Sequence, residues 1–257
     1  LDLTGNAIDN IGSASLTYAL ENPELCIQEL ILSGNMLGDL GAVQFGKLLQ
    51  ITQVLRTLHL DLNSIGDPGC VALSKGIAQN TSVYHLNLAF NRIGTNGMLE
   101  LGKALNQNTS ISQLSLEGNS CGGEAIASFV SQIVDNRILR SLNLSSNRMR
   151  KEGAASIAQL VSNEESQIQT LCLERNGLQD DDITLIFNAI KSNISLRNVI
   201  LDGNSIQTMG ALSIAEAILM NNNIQKISLK SNSVPKEGIQ ALEDACARNT
   251  QVLCMLS

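Results

Sequence analysis

The stretch LRTLHLDLNSIGDPGCVAL, residues 55–73, carries two different hydrophobic periods one after the other. Leu58 and Leu60 alternate with Thr57, His59 and Asp61, the period of two of a strand that buries one face. After the turn-forming run Asn63 to Pro68, Cys70, Leu73 and Ile77 fall at i, i+3 and i+7, which is a single apolar stripe on a helix. A lone strand–turn–helix unit of this size cannot cover its own apolar side, so copies of it are expected on either flank.

The copies are there. The pattern L-x-L-x-x-N recurs as Leu1-Leu3-Asn6, Leu30-Leu32-Asn35, Leu58-Leu60-Asn63, Leu86-Leu88-Asn91, Leu114-Leu116-Asn119, Leu142-Leu144-Asn147, Leu171-Leu173-Asn176, Val199-Leu201-Asn204 and Ile227-Leu229-Asn232, with asparagines 28 or 29 residues apart. Two residues beyond each Asn stands another apolar or small side chain: Ile8, Leu37, Ile65, Ile93, Cys121, Met149, Leu178, Ile206 and Val234. Stacking such units predicts an α/β solenoid with a parallel sheet on one face and helices on the other. Because a helix is wider than the strand spacing of about 4.8 Å, the stack curves with the sheet inside. The repeat Asn stands where the chain leaves the strand, and its carboxamide is expected to bond exposed backbone groups of adjacent turns as a ladder. Replacing an interior one, such as Asn119, is expected to lower the melting temperature.

Within the helical half, Asp39, Asp67, Thr95, Asp180 and Thr208 lie four residues after the repeat Asn and are expected to cap their helices, with Pro68 opening its own. Apolar stripes recur as Met98-Leu101-Leu105 and Ala211-Ile214-Ile218. Glycine recurs six residues after the Asn at 12, 41, 69, 97, 153, 210 and 238, with Ala125 and Asp182 as exceptions, which implies close approach to the neighbouring repeat. Asn80, Asn108, Asn136, Asn193, Asn221 and Asn249 lie 17 residues after a repeat Asn. Asn tolerates the left-handed conformation that closes a helix, so these are expected to be left-handed caps. That reading gives a structural cause for three of the four N-x-S/T sequons, at Asn80, Asn108 and Asn193; the fourth begins at Asn143.

The composition bounds the class. Of 257 residues 44% are hydrophobic and 16% charged, enough apolar material for a continuous core, and the formal net charge is −7. An acidic chain disfavours phosphate recognition, so no nucleic acid is expected and a protein with a basic surface is the expected partner. No stretch approaches the roughly 18 consecutive apolar residues of a membrane span, so no membrane is expected. Cys26, Cys70, Cys121, Cys172, Cys246 and Cys254 form no C-x-x-C pair and no metal-ligand spacing, which points to free thiols in a reducing, cytoplasmic setting with no cofactor.

The motif L-x-x-L-x-L-x-x-N-x-I-x-x-x-G-x-x-x-L, matched throughout by Leu55-Leu58-Leu60-Asn63-Ile65-Gly69-Leu73, resembles the ribonuclease-inhibitor-like class of leucine-rich repeats. The resemblance covers essentially the whole chain and implies a leucine-rich-repeat horseshoe, residues 1–257 forming nine repeats plus the start of a tenth at Val252 and Met255. It implies a curved surface used to bind macromolecules, as in NOD-like receptors, Ran GTPase-activating proteins, tropomodulin-type actin cappers and ciliary leucine-rich-repeat proteins. Every repeat here keeps its Asn, unlike ribonuclease inhibitor, where Cys often replaces it. The chain starts inside a strand and stops inside a repeat without polar caps. It is therefore expected to be an excerpt whose apolar ends contact further parts of the same protein.

Side chains between the leucines face away from the core. One row, four residues before the Asn, reads Asp2, Ile31, His59, Asn87, Ser115, Asn143, Cys172, Ile200 and Ser228. A second, two residues before it, reads Thr4, Ser33, Asp61, Ala89, Glu117, Ser145, Glu174, Asp202 and Lys230. Asp61, Glu117, Glu174 and Asp202 make the second row acidic: either a groove for Lys and Arg of a partner or a solvated polar face. In a chain with four Phe, two Tyr and no Trp, Tyr84 and Phe90 flank one strand outside the core, with Leu62 equivalent to Phe90. These are either interface anchors or fillers of the turn against the next repeat. Arg92, Arg148 and Arg175 border the repeat Asn and could clamp carboxylates, and Lys47, Lys75 and Lys103 form a basic row on the helical side, contact surface or solvated face.

Catalysis needs converging acid, base or nucleophile groups. His59 and His85 are the only histidines, no Walker loop or G-x-G-x-x-G follows a strand, and Glu174 beside Cys172 opposes a thiolate. The expectation is a non-enzymatic protein-interaction scaffold, with a GTPase activator for a small GTPase and a structural part of a cytoskeletal or ciliary assembly as alternatives.

Overall fold

The computed structural model describes residues 1–22, 24–119 and 121–256. One parallel sheet runs through them in chain order: β1 Glu29–Ile31, β2 Thr57–His59, β3 His85–Asn87, β4 Gln113–Ser115, β5 Ser141–Asn143, β6 Thr170–Cys172, β7 Asn198–Ile200, β8 Lys226–Ser228 and β9 Leu253–Met255. Helices lie on its outer side: α1 Asn10–Leu20, α2 Gly38–Ile51, α3 Asp67–Gln79, α4 Thr95–Gln107, α5 Gly122–Ile133, α6 Arg150–Ser162, α7 Asp180–Ile190, α8 Thr208–Met220 and α9 Lys236–Arg248. The first L-x-L joins only as a single bridge, Asp2 to Ile31, while residues after the ninth repeat supply β9.

The register follows the repeat: Leu30 pairs with Leu58, Leu58 with Leu86, Leu86 with Leu114, and so to Ile227. These leucines and the helical stripes Cys70-Leu73-Ile77, Met98-Leu101-Leu105 and Ala211-Ile214-Ile218 are buried in one continuous core. Phe45 and Phe129 fill the slot that Leu73 and Leu101 hold in neighbouring repeats, so core volume is kept up by one large side chain at a time.

The asparagine ladder is present. Asn91 Oδ1 accepts from the backbone N–H of Asn63 at 3.1 Å and Ile65 at 2.9 Å, and its Nδ2 donates to the carbonyls of Leu60, Leu88 and Ala89. Asn35, Asn63, Asn119, Asn147, Asn176, Asn204 and Asn232 likewise donate to the preceding repeat's leucine carbonyl. Each carboxamide thus joins two repeats and leaves no buried polar group behind.

The asparagines at the other end of the helix form a second ladder, and the expected left-handed cap is wrong for them. Asn80, Asn108 and Asn221 are extended, with φ of −76, −73 and −105°. Asn108 Nδ2 donates to Ile77 O and Asn80 O, both at 2.7 Å, and its Oδ1 accepts from the N–H groups of Ser110 and Ile111. The repeat needs the carboxamide rather than the conformational tolerance. Asn163, one residue off the regular spacing, takes the same role by donating to Val134 O. Three sequon asparagines, Asn80, Asn108 and Asn193, are buried in this ladder.

Helix capping also differs from the expectation, by one residue and one repeat. Asp67 is the first residue of α3, not its cap, and Pro68 is the second. The Asp67 carboxylate reaches across the stack to the start of α4, where Oδ1 accepts from Gly94 N at 2.6 Å and Gly97 N at 2.9 Å. Asp39 serves α3 in the same way through Gly66 and Gly69, and Asp180 serves α8 through Gln207 and Met209. This accounts for the glycine at three of its seven places: a Cβ on Gly69, Gly97 or Gly210 would meet the incoming carboxylate oxygen at 2.6, 2.7 and 2.7 Å. Ala125 and Asp182 follow repeats with Thr95 and Lys151 in place of the Asp, and so does Gly238 after Thr208, where a Cβ would meet Ala211 Cβ at 2.8 Å instead. Asp182 then caps its own helix by accepting from Gln179 N. Asp67→Ala is expected to cost about 1–2 kcal/mol. Hydrogen exchange should speed up at the first turn of α4 and not of α3; loss of protection in α3 instead would contradict capping across repeats.

Candidate functional site

The strand face is built by residues that alternate with the buried leucines, so each strand contributes side chains six, four and two positions before its Asn. The innermost row, Glu29, Thr57, His85, Gln113, Ser141, Thr170, Asn198 and Lys226, extends the two rows foreseen; carrying the period of two one step further back would have found it.

The four acidic residues of the row two positions before the Asn stand in two settings. Asp61 is satisfied: its Oδ1 accepts from Ser33 Oγ at 2.8 Å and Asn87 Nδ2 at 2.9 Å, with His59 Nδ1 at 3.8 Å. His59 and His85 meet edge to face with ring centroids 4.9 Å apart. Burial, and then the neighbouring His59, holds the His85 pKa below its ordinary value.

Glu117, Glu174 and Asp202 are crowded by one another. Glu117 Oε2 accepts only a neutral bond, from Asn143 Nδ2 at 3.1 Å, and Asp202 Oδ1 accepts from Lys230 N at 2.8 Å. Burial raises the Glu174 carboxyl, and the charges of Asp202 and Glu117 raise it further. Among the described residues no Lys or Arg side chain pairs with any of the three. Cys172 lies beside them, its thiol pushed up to about 11 by burial and then by Glu174 and Glu117. A thiol so placed stays protonated and is no nucleophile.

At the rim where the strands end, the residue just before the repeat Asn is left-handed in every repeat: Gly5, Gly34, Leu62, Phe90, Gly118, Ser146, Arg175, Gly203 and Ser231, with φ between 51 and 69°. Glycine holds four of these places, a signal in the sequence that passed unread. A side chain there costs about 1–2 kcal/mol of backbone strain, yet Leu62, Phe90 and Arg175 occupy it and are exposed, Leu62 by 54% and Phe90 by 47%. The Phe90 ring lies over Gly118 of the next repeat, and Arg175 Cγ comes within 2.9 Å of where a Cβ on Gly203 would stand. Phe90 therefore fills the turn on one side and presents its other side outward. Arg148 is also left-handed and exposed, and Arg92 is exposed with its N–H bonded to Ile65 O.

The remaining candidates lie apart from this rim. Tyr84, 45% exposed, sits at the start of β3, at the opposite end of the strand from Phe90. Lys47, Lys75 and Lys103 are exposed on the helical side, where Lys103 pairs with Glu100 at 2.7 Å. Cys70 is a core residue, and Cys121 packs partly buried with its sulfur 3.3 Å from Asn147 Oδ1. Among the described residues no group of His, Cys, Asp and Glu is placed to hold a metal ion, and no helix is long and apolar enough to cross a membrane.

Comparison with known proteins agrees with the repeat. A family model described as leucine-rich repeat matches residues 53–74, 79–102 and 135–158, and no curated protein sequence matches. Among solved structures, TLR13 in its complex with ssRNA13 is similar at 17% identity and a TM-score of 0.58, covering 91% of this chain and 33% of that one. The C-terminal domain of Caenorhabditis elegans tropomodulin is similar at 14% identity and 0.51, covering 61% and 93%. The leucine-rich repeat-containing protein LegL7 from Legionella pneumophila is similar at 18% identity and 0.48, covering 80% and 76%. At these identities the likeness to the first two is one of fold. The asparagines in register, the parallel sheet they order and the family model together give this chain the fold of a leucine-rich-repeat solenoid.

Proposed function

We propose that the chain is a protein-recognition module without catalytic activity of its own, taking a basic segment of its partner along the concave face from His59 to Asp202. The observation that carries this reading is the trio Glu117, Glu174 and Asp202, which among the described residues has no salt-bridge partner. Like charges crowd one another there, and an arriving Lys or Arg relieves that repulsion while making charge-assisted hydrogen bonds. Leu62 and Phe90 at the rim supply apolar anchors beside Asp61, and Arg92, Arg148 and Arg175 border the same edge, where carboxylates of the partner fit. Leu62 and Phe90 keep side chains where glycine would relax the backbone, which is the pattern of strain retained for recognition. TLR13 is solved with an ssRNA on the same fold, so the fold by itself leaves nucleic acid open; the carboxylates along this particular face favour a protein.

The test is affinity capture with cross-link mapping, wild type beside the combined variant Asp61→Lys, Glu117→Lys, Glu174→Lys and Asp202→Lys. Partners cross-linked to the concave face should be lost at least tenfold in the variant. They should survive the reversal Lys47→Glu, Lys75→Glu and Lys103→Glu on the helical side. Phe90→Gly should weaken capture without lowering the melting temperature. Full retention of every partner by the concave variant would defeat the proposal, and loss only with the lysine reversal would move the site to the helices.

A further inference from the structure

Two cysteines that the sequence keeps apart meet, partly buried, at the edge of the core. Cys246 on α9 and Cys254 on β9 have their sulfurs 2.9 Å apart, and among the described residues no other pair of cysteine sulfurs is in hydrogen-bond contact. The repeat itself brings them together. Cys254 stands in register with Ile227, which stands in register with Val199, and these are the core positions of their strands. Cys246 lies 28 residues after Ile218 and Ile218 lies 28 after Ile190, the last buried residues of α8 and α7. The helix and the strand that follows it direct these two positions toward one core, in which Ile190, Val199, Ile218 and Ile227 of the earlier repeats are all buried. Here both places are cysteine.

We propose that Cys246 and Cys254 are a redox modification site, forming a reversible disulfide within their repeat when a small-molecule disulfide such as oxidised glutathione reaches them. Closing the gap to a bond of about 2.0 Å needs a side-chain shift of about an ångström, with both sulfurs carried on short side chains of packed elements. Burial and then the adjacent Cys246 sulfur raise the Cys254 thiol, and the exchange balances in the same way whichever sulfur attacks first; with Cys246 first it runs through a mixed disulfide. The Cys246 thiolate attacks one sulfur of the glutathione disulfide, forming a mixed disulfide and expelling one glutathione thiolate. Cys254 gives up its proton to that thiolate and attacks the Cys246 sulfur, expelling the second glutathione. Two protein thiols are oxidised to one disulfide, and one small disulfide is reduced to two thiols. The new bond ties β9 to α9 and restrains local opening of that repeat.

The full chain is incubated in glutathione buffers of stepped reduced-to-oxidised ratio, quenched with acid, alkylated and mapped without reduction. Cys26 is exposed and serves as the internal standard for simple glutathione adducts. The expected result is a 246–254 linkage with loss of two hydrogens, appearing at ratios where Cys26 carries glutathione and reversed by dithiothreitol. Cys246→Ser and Cys254→Ser should each abolish the linkage. Hydrogen exchange at Leu253, Cys254 and Met255 should slow several-fold in the oxidised protein and return on reduction. If Cys246 and Cys254 both remain alkylatable, or each carries glutathione, when Cys26 is fully modified, the proposal is overturned. A linkage that leaves exchange unchanged would overturn the restraint on β9.

Discussion

Asn91→Leu is expected to destabilise the protein by about 3–4 kcal/mol. The carboxamide of Asn91 is the acceptor for the buried N–H groups of Asn63 and Ile65 and the donor to Leu60 O, Leu88 O and Ala89 O. Leucine matches its size but none of its bonds, and a buried N–H left without an acceptor costs about 1–3 kcal/mol. The extra apolar area returns only part of this. Because each repeat contacts only its neighbours, the damage lies at one seam, between the repeats of Asn63 and Asn91. Denaturant unfolding should separate into two transitions where the wild type shows one, and hydrogen exchange should rise at the amides of Asn63 and Ile65. Asn119→Leu should behave alike, through the loss of its bonds to Ile93 N and Leu88 O. An unchanged melt in both variants would show that the ladder contributes nothing.

The second large effect separates conformation from hydrogen bonding. If Asn108 served as a left-handed cap, glycine there would be neutral or stabilising. Its backbone is extended and its side chain makes five bonds, two of them to the preceding repeat. Asn108→Gly is therefore expected to cost about 3 kcal/mol, with Asn108→Ala within about 1 kcal/mol of it. Leu62→Gly gives the opposite result by the same reasoning: Leu62 has a φ of 58°, and glycine releases strain of about 1–2 kcal/mol. That gain is offset in part by the greater freedom of glycine in the unfolded chain, so the melting temperature should hold or rise slightly. Thermal unfolding of the three variants side by side decides it, and a stable Asn108→Gly would restore the left-handed cap.

Much of the fold was legible because the repeat states its contents nine times. Leucines with a period of two, an Asn in register and an apolar stripe such as Cys70-Leu73-Ile77 each describe one unit, and from Leu30 onward the structure places them as read, while the first L-x-L joins the sheet by one bridge only. The candidate site was legible less evenly. The acidic row and the exposed Leu62 and Phe90 followed from alternation, whereas the repulsion that Asp202 and Glu117 exert on Glu174 depends on how the strands set their charges beside one another. The left-handed rim could have been found from Gly5, Gly34, Gly118 and Gly203 at one position, but the five other residues there masked it.

Asp67 marks the boundary between the two kinds of information. The sequence by itself determined that a short acceptor recurs at the head of a helix and that glycine recurs two residues later. Only the tertiary structure decided that the carboxylate of one repeat and the glycine of the next are a single device, and likewise that Cys246 faces Cys254. The physical reason is that hydrophobic period and turn chemistry act within a unit, whereas the offset of one unit on another is set by packing the whole stack. Hydrogen bonds and sulfur contacts that cross between elements have no spacing of their own to be read.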